Sequence, residues 1–272
     1  QAMNHAMTGL ATGGFSVTDN SIGTYNSPLI EGVLLPVMAL GAIAFPIHFA
    51  VLSKRDPREL LADLQTRWLL VLLGGGVVVL SLQNLLFIGE TGAFGSTVAI
   101  PNWLGAYVTP AQADAVRDGT FQFISALTCT GFQSSPIVNW SDGGKLIVSG
   151  AMVVGGAAGS TVGGIKVIRA YVIAKGIKWQ FSRVFLPSNA VATASVGDRK
   201  LTRQQMDREF GEAAIVGVLW ISLLVASSIV LVNLAGPDFS YADALFEVAS
   251  AQGNVGLSTG IVGPSMHPMA EG

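Results

Sequence analysis

Charge is what this sequence has least of. Only 12% of its 272 residues are Asp, Glu, Lys or Arg, against about 25% in ordinary soluble domains, which excludes a freely solvated globular surface. A single cysteine, Cys129, excludes an intrachain disulfide framework. The formal net charge of −2 offers none of the basic excess that nucleic acid demands, so no nucleic-acid partner is expected. His5, His48 and His267 share no metal-ligand spacing and read as structural. No charged leader precedes the first apolar residues; the chain reads as beginning inside a half-helix, truncated at its N-terminus.

Apolar residues fill the gap. Half of the sequence is hydrophobic and the mean hydropathy is +0.55, which points to an integral membrane protein. The stretch from Thr120 to Arg169 organises the rest. Thr120 to Phe132 is apolar but too short for a helical crossing, which takes about 20 residues, and reads as a re-entrant half-helix. It ends in Thr128-Cys129-Thr130-Gly131-Phe132, where glycine admits backbone conformations closed to other residues and carbonyls can face an ion. Partial copies stand at Ala11-Thr12-Gly13-Gly14-Phe15-Ser16 and at Gly253-Asn254-Val255-Gly256-Leu257-Ser258. Gly14, Gly131 and Gly256 are spaced 117 and 125 residues apart, an internal repeat that suits a helix, re-entrant loop, helix unit around a pore axis.

Between the copies, Pro28 to Leu52 is expected to span with kinks at Pro36 and Pro46, Glu59 to Arg67 to form a short surface helix, and Leu69 to Ile88 to cross the membrane. Gly89 to Arg117 reads as a loop with Trp103 and Tyr107 at the interface. Ala213 to Ala235 spans again, and Ser240 to Gln252 is the third half-helix. Thirteen of the fifteen Lys and Arg residues fall in two connectors, around Lys54 to Arg67 and Lys166 to Arg208. The positive-inside rule makes both cytoplasmic and turns the three glycine loops outward. Asp118, Asp243 and Glu247 lie in or before half-helices, either raising the local cation concentration or marking solvated helix starts.

The apolar run after the central loop is interrupted at Gly155-Gly156-Ala157-Ala158-Gly159-Ser160-Thr161-Val162-Gly163-Gly164. Two readings stay open on the residues alone. One is close helix packing through small residues; the other is a break that lies across a pore beneath the filter and acts as a gate, together with Lys166 and Arg169, which could equally snorkel to the cytoplasm.

These motifs, above all GGAAGSTVGGIKVIR from Gly155 to Arg169, resemble the Trk/Ktr/HKT superfamily of potassium transporters, closest to its bacterial TrkH branch. The resemblance implies an all-α polytopic membrane protein of repeated outer helix, re-entrant pore half-helix, filter loop and inner helix units, here without the first unit and the last inner helix. It implies units at 1–58, 59–183 and 209–272, the end of the second, the third and most of the fourth, with a cytoplasmic connector at 184–208. K+ would pass filter residues Thr12, Gly13, Gly14 and Phe15; Cys129, Thr130, Gly131 and Phe132; and Asn254, Val255, Gly256 and Leu257. Gate residues would be Gly155, Gly156, Gly159, Ser160, Thr161, Gly163, Gly164, Lys166 and Arg169. The resemblance also implies a homodimer in the bacterial inner membrane, with lipid and a cytoplasmic nucleotide-binding (RCK-type) subunit as partners. No organic cofactor and no enzyme chemistry are expected. A broken-helix secondary transporter, K+/Na+ or K+/H+ coupled, is the rival, and would need an ionisable site at the membrane midplane.

Overall fold

The computed structural model describes residues 1–87, 109–185, 194–197 and 199–262; the expected interfacial Trp103 and Tyr107, and His267, lie outside them. In chain order the helices are α1 (Ala2–Leu10), α2 (Pro28–Gly41), α3 (Phe45–Lys54), α4 (Arg58–Ala62), α5 (Leu64–Leu86), α6 (Pro110–Leu127), α7 (Asp142–Val154), α8 (Val167–Val184), α9 (Arg203–Leu234) and α10 (Tyr241–Gln252). Strands β1 (Ala194–Val196) and β2 (Arg199–Leu201) pair antiparallel between α8 and α9.

Two described helices, α5 and α9, are long and apolar enough to cross a membrane. The 23 residues of α5 rise about 35 Å, enough for a hydrocarbon core of about 30 Å. Its start is fixed by Asp63, whose carboxylate accepts from the Thr66 backbone N–H at 2.8 Å and from the Thr66 hydroxyl at 2.9 Å. The 32 residues of α9 exceed the bilayer, so its charged first turns, capped by Thr202 and Gln205, project beyond it. There Trp179, Val196, Leu201 and Met206 bury one another, and the basic connector is a small folded cap rather than a plain loop.

Three expectations need correction. Glu59 to Arg67 is not one surface helix, since α4 ends at Ala62 and extended Asp63 starts α5 at Leu64. Pro28 to Leu52 is broken rather than kinked: α2 and α3 meet at 98° across Ala42, Ile43 and Ala44. Only Pro46 coincides with the break: it has no N–H for the Ala42 carbonyl four residues back, which accepts from the Ala157 N–H instead. Pro36 sits inside α2, and Pro46 occupies the first turn of α3, where a missing N–H costs nothing. The central half-helix also begins at Pro110, ten residues before Thr120, under a Thr109–Gln112 capping box. Its first turns carry Asp114, Arg117 and Asp118, which hide the helix from an apolar pattern and are buried by charge pairing.

The helices follow one another in a fixed order of packing. The inner helix α2 packs on the half-helix α6, and the inner helix α7 packs on the half-helix α10; α5 lies along α6, and α9 along α10. The α5–α6 contact is close because a Cβ at Gly76 would collide with the Phe123 ring. The main core gathers Leu69, Leu80, Phe123, Leu127, Met152 and Phe246 where these helices meet.

Candidate pore loops and the glycine-rich break

Three short helices, α1, α6 and α10, end in the same way. After each, three consecutive backbone N–H groups turn back onto the helix: Ala11, Thr12 and Gly13 onto Met7, Gly9 and Thr8; Thr128, Cys129 and Thr130 onto Ile124, Ala126 and Ser125; Gly253, Asn254 and Val255 onto Ala249, Ala251 and Ser250. The second residue of each set is left-handed, with φ of 50° at Thr12, 47° at Cys129 and 54° at Asn254. Two residues on stand Gly14, Gly131 and Gly256, with φ of 63°, 82° and 94°. Side chains rarely adopt such values, so the glycines are required.

The loops pack edge to edge. A Cβ on Gly14 would strike the Thr130 carbonyl oxygen, and one on Gly131 would strike the Val255 carbonyl oxygen. Each glycine therefore faces the carbonyl of the residue before the next loop's glycine, while Gly256 has open space on that side. Phe132 and Leu257 are buried, but Phe15 is 77% exposed. The first and third loops bound an open side.

A hydroxyl six residues before each glycine ties the loop to its own helix. Thr8 Oγ1 donates to the Phe15 carbonyl at 3.0 Å, Ser125 Oγ donates to the Phe132 carbonyl at 2.7 Å, and Ser250 Oγ accepts from the Gly256 N–H at 3.1 Å. Each is worth about 0.5–1.5 kcal/mol net. None was expected from the sequence, although Thr8, Ser125 and Ser250 are spaced 117 and 125 residues apart like the glycines, and that spacing could have found them.

Asp118, Asp243 and Glu247 are neither solvated helix starts nor exposed cation attractors: all three are buried. Asp118 accepts from the Ser134 hydroxyl. Glu247 holds the chain beyond the third loop through Ser258, Thr259 and Gly260. Asp243 pairs with Lys145 of α7 at 2.7 Å. At the preceding helix junction, Arg117 of α6 grips Glu31 of α2 through two bonds, at 2.7 and 2.6 Å. Lys145 and Arg117 are the two basic residues outside the connectors, and each ties an inner helix to the following half-helix. Removing one partner of so buried a pair costs about 3–5 kcal/mol. The polarity is reversed between the junctions, which disfavours exchange of partners.

Between α7 and α8 the backbone is non-helical from Gly155 to Lys166, so these glycines are not a helix-packing stripe. The ends are pinned together, since the Ile165, Lys166 and Val167 N–H groups donate to the Val153, Val154 and Gly156 carbonyls. The interior reaches outward to the α2–α3 bend. The Ala157 N–H donates to the Ala42 carbonyl, the Phe45 N–H to the Gly159 carbonyl, and the Thr161 hydroxyl to the Gly41 carbonyl. Ser160 Oγ closes onto the Ala157 carbonyl at 2.6 Å, Lys166 Nζ donates to the Val162 carbonyl, and exposed Arg169 reaches the Ile165 carbonyl. The segment touches all three pore loops. Thr12 Oγ1 bonds Thr161 Oγ1 at 2.7 Å, the Gly163 backbone lies beside the Cys129 thiol, and a Cβ on Gly163 would strike the Gly253 carbonyl.

His5 bonds Gln1 and Ser16 and packs its ring on Tyr25 and Phe132, and His48 bonds the Leu40 carbonyl. No metal-binding cluster of His, Cys, Asp and Glu occurs among the described residues.

The family model TrkH, described as "Cation transport protein", matches residues 1–271. The chain belongs to the TrkH family. It is 26% identical over 273 residues to the Trk system potassium uptake protein TrkH of Escherichia coli, covering 99% of this chain and 51% of that protein. To an uncharacterized cation transporter of Methanocaldococcus jannaschii it is 26% identical over 262 residues, 96% of this chain and 47% of the relative. The crystal structure of the potassium transporter TrkH from Vibrio parahaemolyticus superposes with a TM-score of 0.71 at 24% identity, over 94% of this chain and 50% of that one. The chain thus spans about half the length of the TrkH relatives it matches.

Proposed function

We propose that the chain forms part of the pore of a potassium uptake system, passing dehydrated K+ along backbone carbonyls of residues 11–15, 128–132 and 253–257. One observation carries this reading. Gly14 faces the Thr130 carbonyl and Gly131 the Val255 carbonyl, a handing-on from loop to loop that suits a ring about one axis. Non-helical backbone at membrane depth must be buried or line a water-filled path. The three short helices also end at the loops, so their negative dipole ends favour a cation without a fixed carboxylate. The E. coli relative is named a potassium uptake protein, which favours K+ as the cargo. A fourth loop would stand on the open side, between Gly256 and exposed Phe15.

The glycine-rich break is the gate in this reading, because it bears on all three loops from one side. The filter faces outward in the bacterial inner membrane, and the chain works as a homodimer with a nucleotide-binding subunit on its cytoplasmic face. A coupled K+/Na+ or K+/H+ transporter would need a free ionisable group at the pore. Glu31, Arg117, Lys145, Asp243 and Glu247 are all engaged with partners, which weighs against it.

The deciding experiment replaces Gly131 by Ser in the complete protein. A side chain at φ 82° must move the Val255 carbonyl, and the K+ over Na+ uptake ratio is expected to fall by about tenfold or more, the equivalent of about 1.4 kcal/mol of lost discrimination. An unchanged ratio removes Gly131 from the ion path.

A further inference from the structure

Nine residues before each loop glycine stands a buried side chain whose role neither the family match nor the glycine pattern assigns. They are His5, Gln122 and Glu247, spaced 117 and 125 residues apart as the glycines are, and 6%, 0% and 5% exposed. Each faces the limb of chain that leaves its loop. His5 Nδ1 lies 3.1 Å from the Gln1 carbonyl, which can only accept, so Nδ1 carries a proton; in the neutral ring Nε2 is then the acceptor facing the Ser16 hydroxyl at 3.1 Å. Gln122 Oε1 accepts from the Ser134 N–H at 3.0 Å. Glu247 Oε1 accepts from the Ser258 hydroxyl at 2.6 Å, the Thr259 N–H at 2.7 Å, and the Thr259 hydroxyl and Gly260 N–H at 3.2 Å each. An imidazole, an amide and a carboxylate thus do one job. Their shared property is a lone pair aimed at the outgoing limb.

We propose that His5, Gln122 and Glu247 are the positioning residues of the filter, acceptors that fix the outgoing limb of each pore loop and so set the carbonyl placement on which ion selectivity depends. The inference rests on the filter reading above. The incoming limb of each loop continues from its helix and is held by the helix's own carbonyls; the outgoing limb has no helix beneath it. Without the acceptor, the helix side keeps only the hydroxyl six residues before the glycine and, at the second loop, Asp118 on the Ser134 hydroxyl. Glu247 is the strongest of the three, because a carboxylate bond is roughly twice as strong as a neutral one and this oxygen takes four donors. The third loop is therefore the most tightly held, and the first, on a single hydroxyl, the least.

The test measures K+ and Na+ uptake per folded molecule in the complete protein. Glu247→Leu leaves four donors without their acceptor, and the K+/Na+ ratio is expected to fall by about tenfold, the worth of one buried charge-assisted bond. Glu247→Gln keeps the oxygen and is expected to hold the ratio near the parent value, since an amide does this work at Gln122. Gln122→Met, nearly isosteric and without an acceptor, gives a second reading at another loop should Glu247→Leu fail to fold. A ratio unchanged in folded Glu247→Leu or Gln122→Met overturns the proposal. So does a Glu247→Gln protein as unselective as the Leu variant, which would make the charge, not the hold, the determinant. Gly131→Ser separates the two levels. If it alters selectivity while the acceptor variants do not, the filter stands and the positioning role falls; if it too is silent, the filter reading has failed first.

Discussion

The pore loops and the glycine-rich break are both glycine-bearing, non-helical backbone buried among helices, yet they are held in opposite ways. Every side-chain bond that secures a pore loop to its own helix comes from within 16 residues, the longest being Asp118 to Ser134. The break instead takes its outward bonds from residues 93 to 149 positions away, at Gln65, Gly41 and Thr12. A loop anchored on its own helix moves only if the helix does. A loop anchored on three distant elements is released when any of them shifts, and two of its anchors, Gly41 and Ala42, lie at the 98° bend between α2 and α3. On the proposed reading, the loops would serve as the constant filter and the break as the part that changes.

The largest expected effect comes from removing the break's outward bonds altogether. Because residues 153–156 and 165–167 are already bonded to each other, deleting Ala157 to Val162 leaves α7 and α8 in place. K+ flux per folded molecule should rise, depend less on any regulatory partner, and keep its K+/Na+ ratio. Well-folded protein with unchanged or lower flux would leave the segment as a structural plug. A smaller effect is expected from Thr161→Val, which loses the bonds to Thr12 and Gly41. Two neutral bonds of about 1 kcal/mol each allow a rise of about tenfold or somewhat more, read as K+ uptake at fixed protein level, again without loss of selectivity. A Thr161→Val protein that gained flux by losing selectivity would show that the two regions are not separable.

The same contrast explains what could be read from the sequence. Gly14, Gly131 and Gly256 are legible because one steric demand, a positive φ, recurs three times and glycine alone meets it well. The acceptors behind them are not, since His5, Gln122 and Glu247 share a lone pair and no identity; only their spacing betrays them. Helix α6 hides its first ten residues because Arg117 and Asp114 are buried by pairing, Arg117 with Glu31 86 positions away, a contact no local pattern records. The bend at Ala42 is likewise held by the distant Ala157 and Thr161, while Pro46 denies the Ala42 carbonyl its helical donor. The folded cap around Trp179 and Met206 is masked by the basic residues surrounding it.

The central claim is that loop carbonyls, and not side chains, hold the ion. Thallium substitutes for K+ and scatters anomalously, so diffraction from the complete protein in thallium salt tests it directly. The account predicts a peak on the axis bounded by the carbonyl oxygens of Gly13, Thr130 and Val255, lost when Gly131 is replaced by Ser. A peak resting instead on the carboxylates of Asp118 or Glu247, with none between those carbonyls, would contradict it.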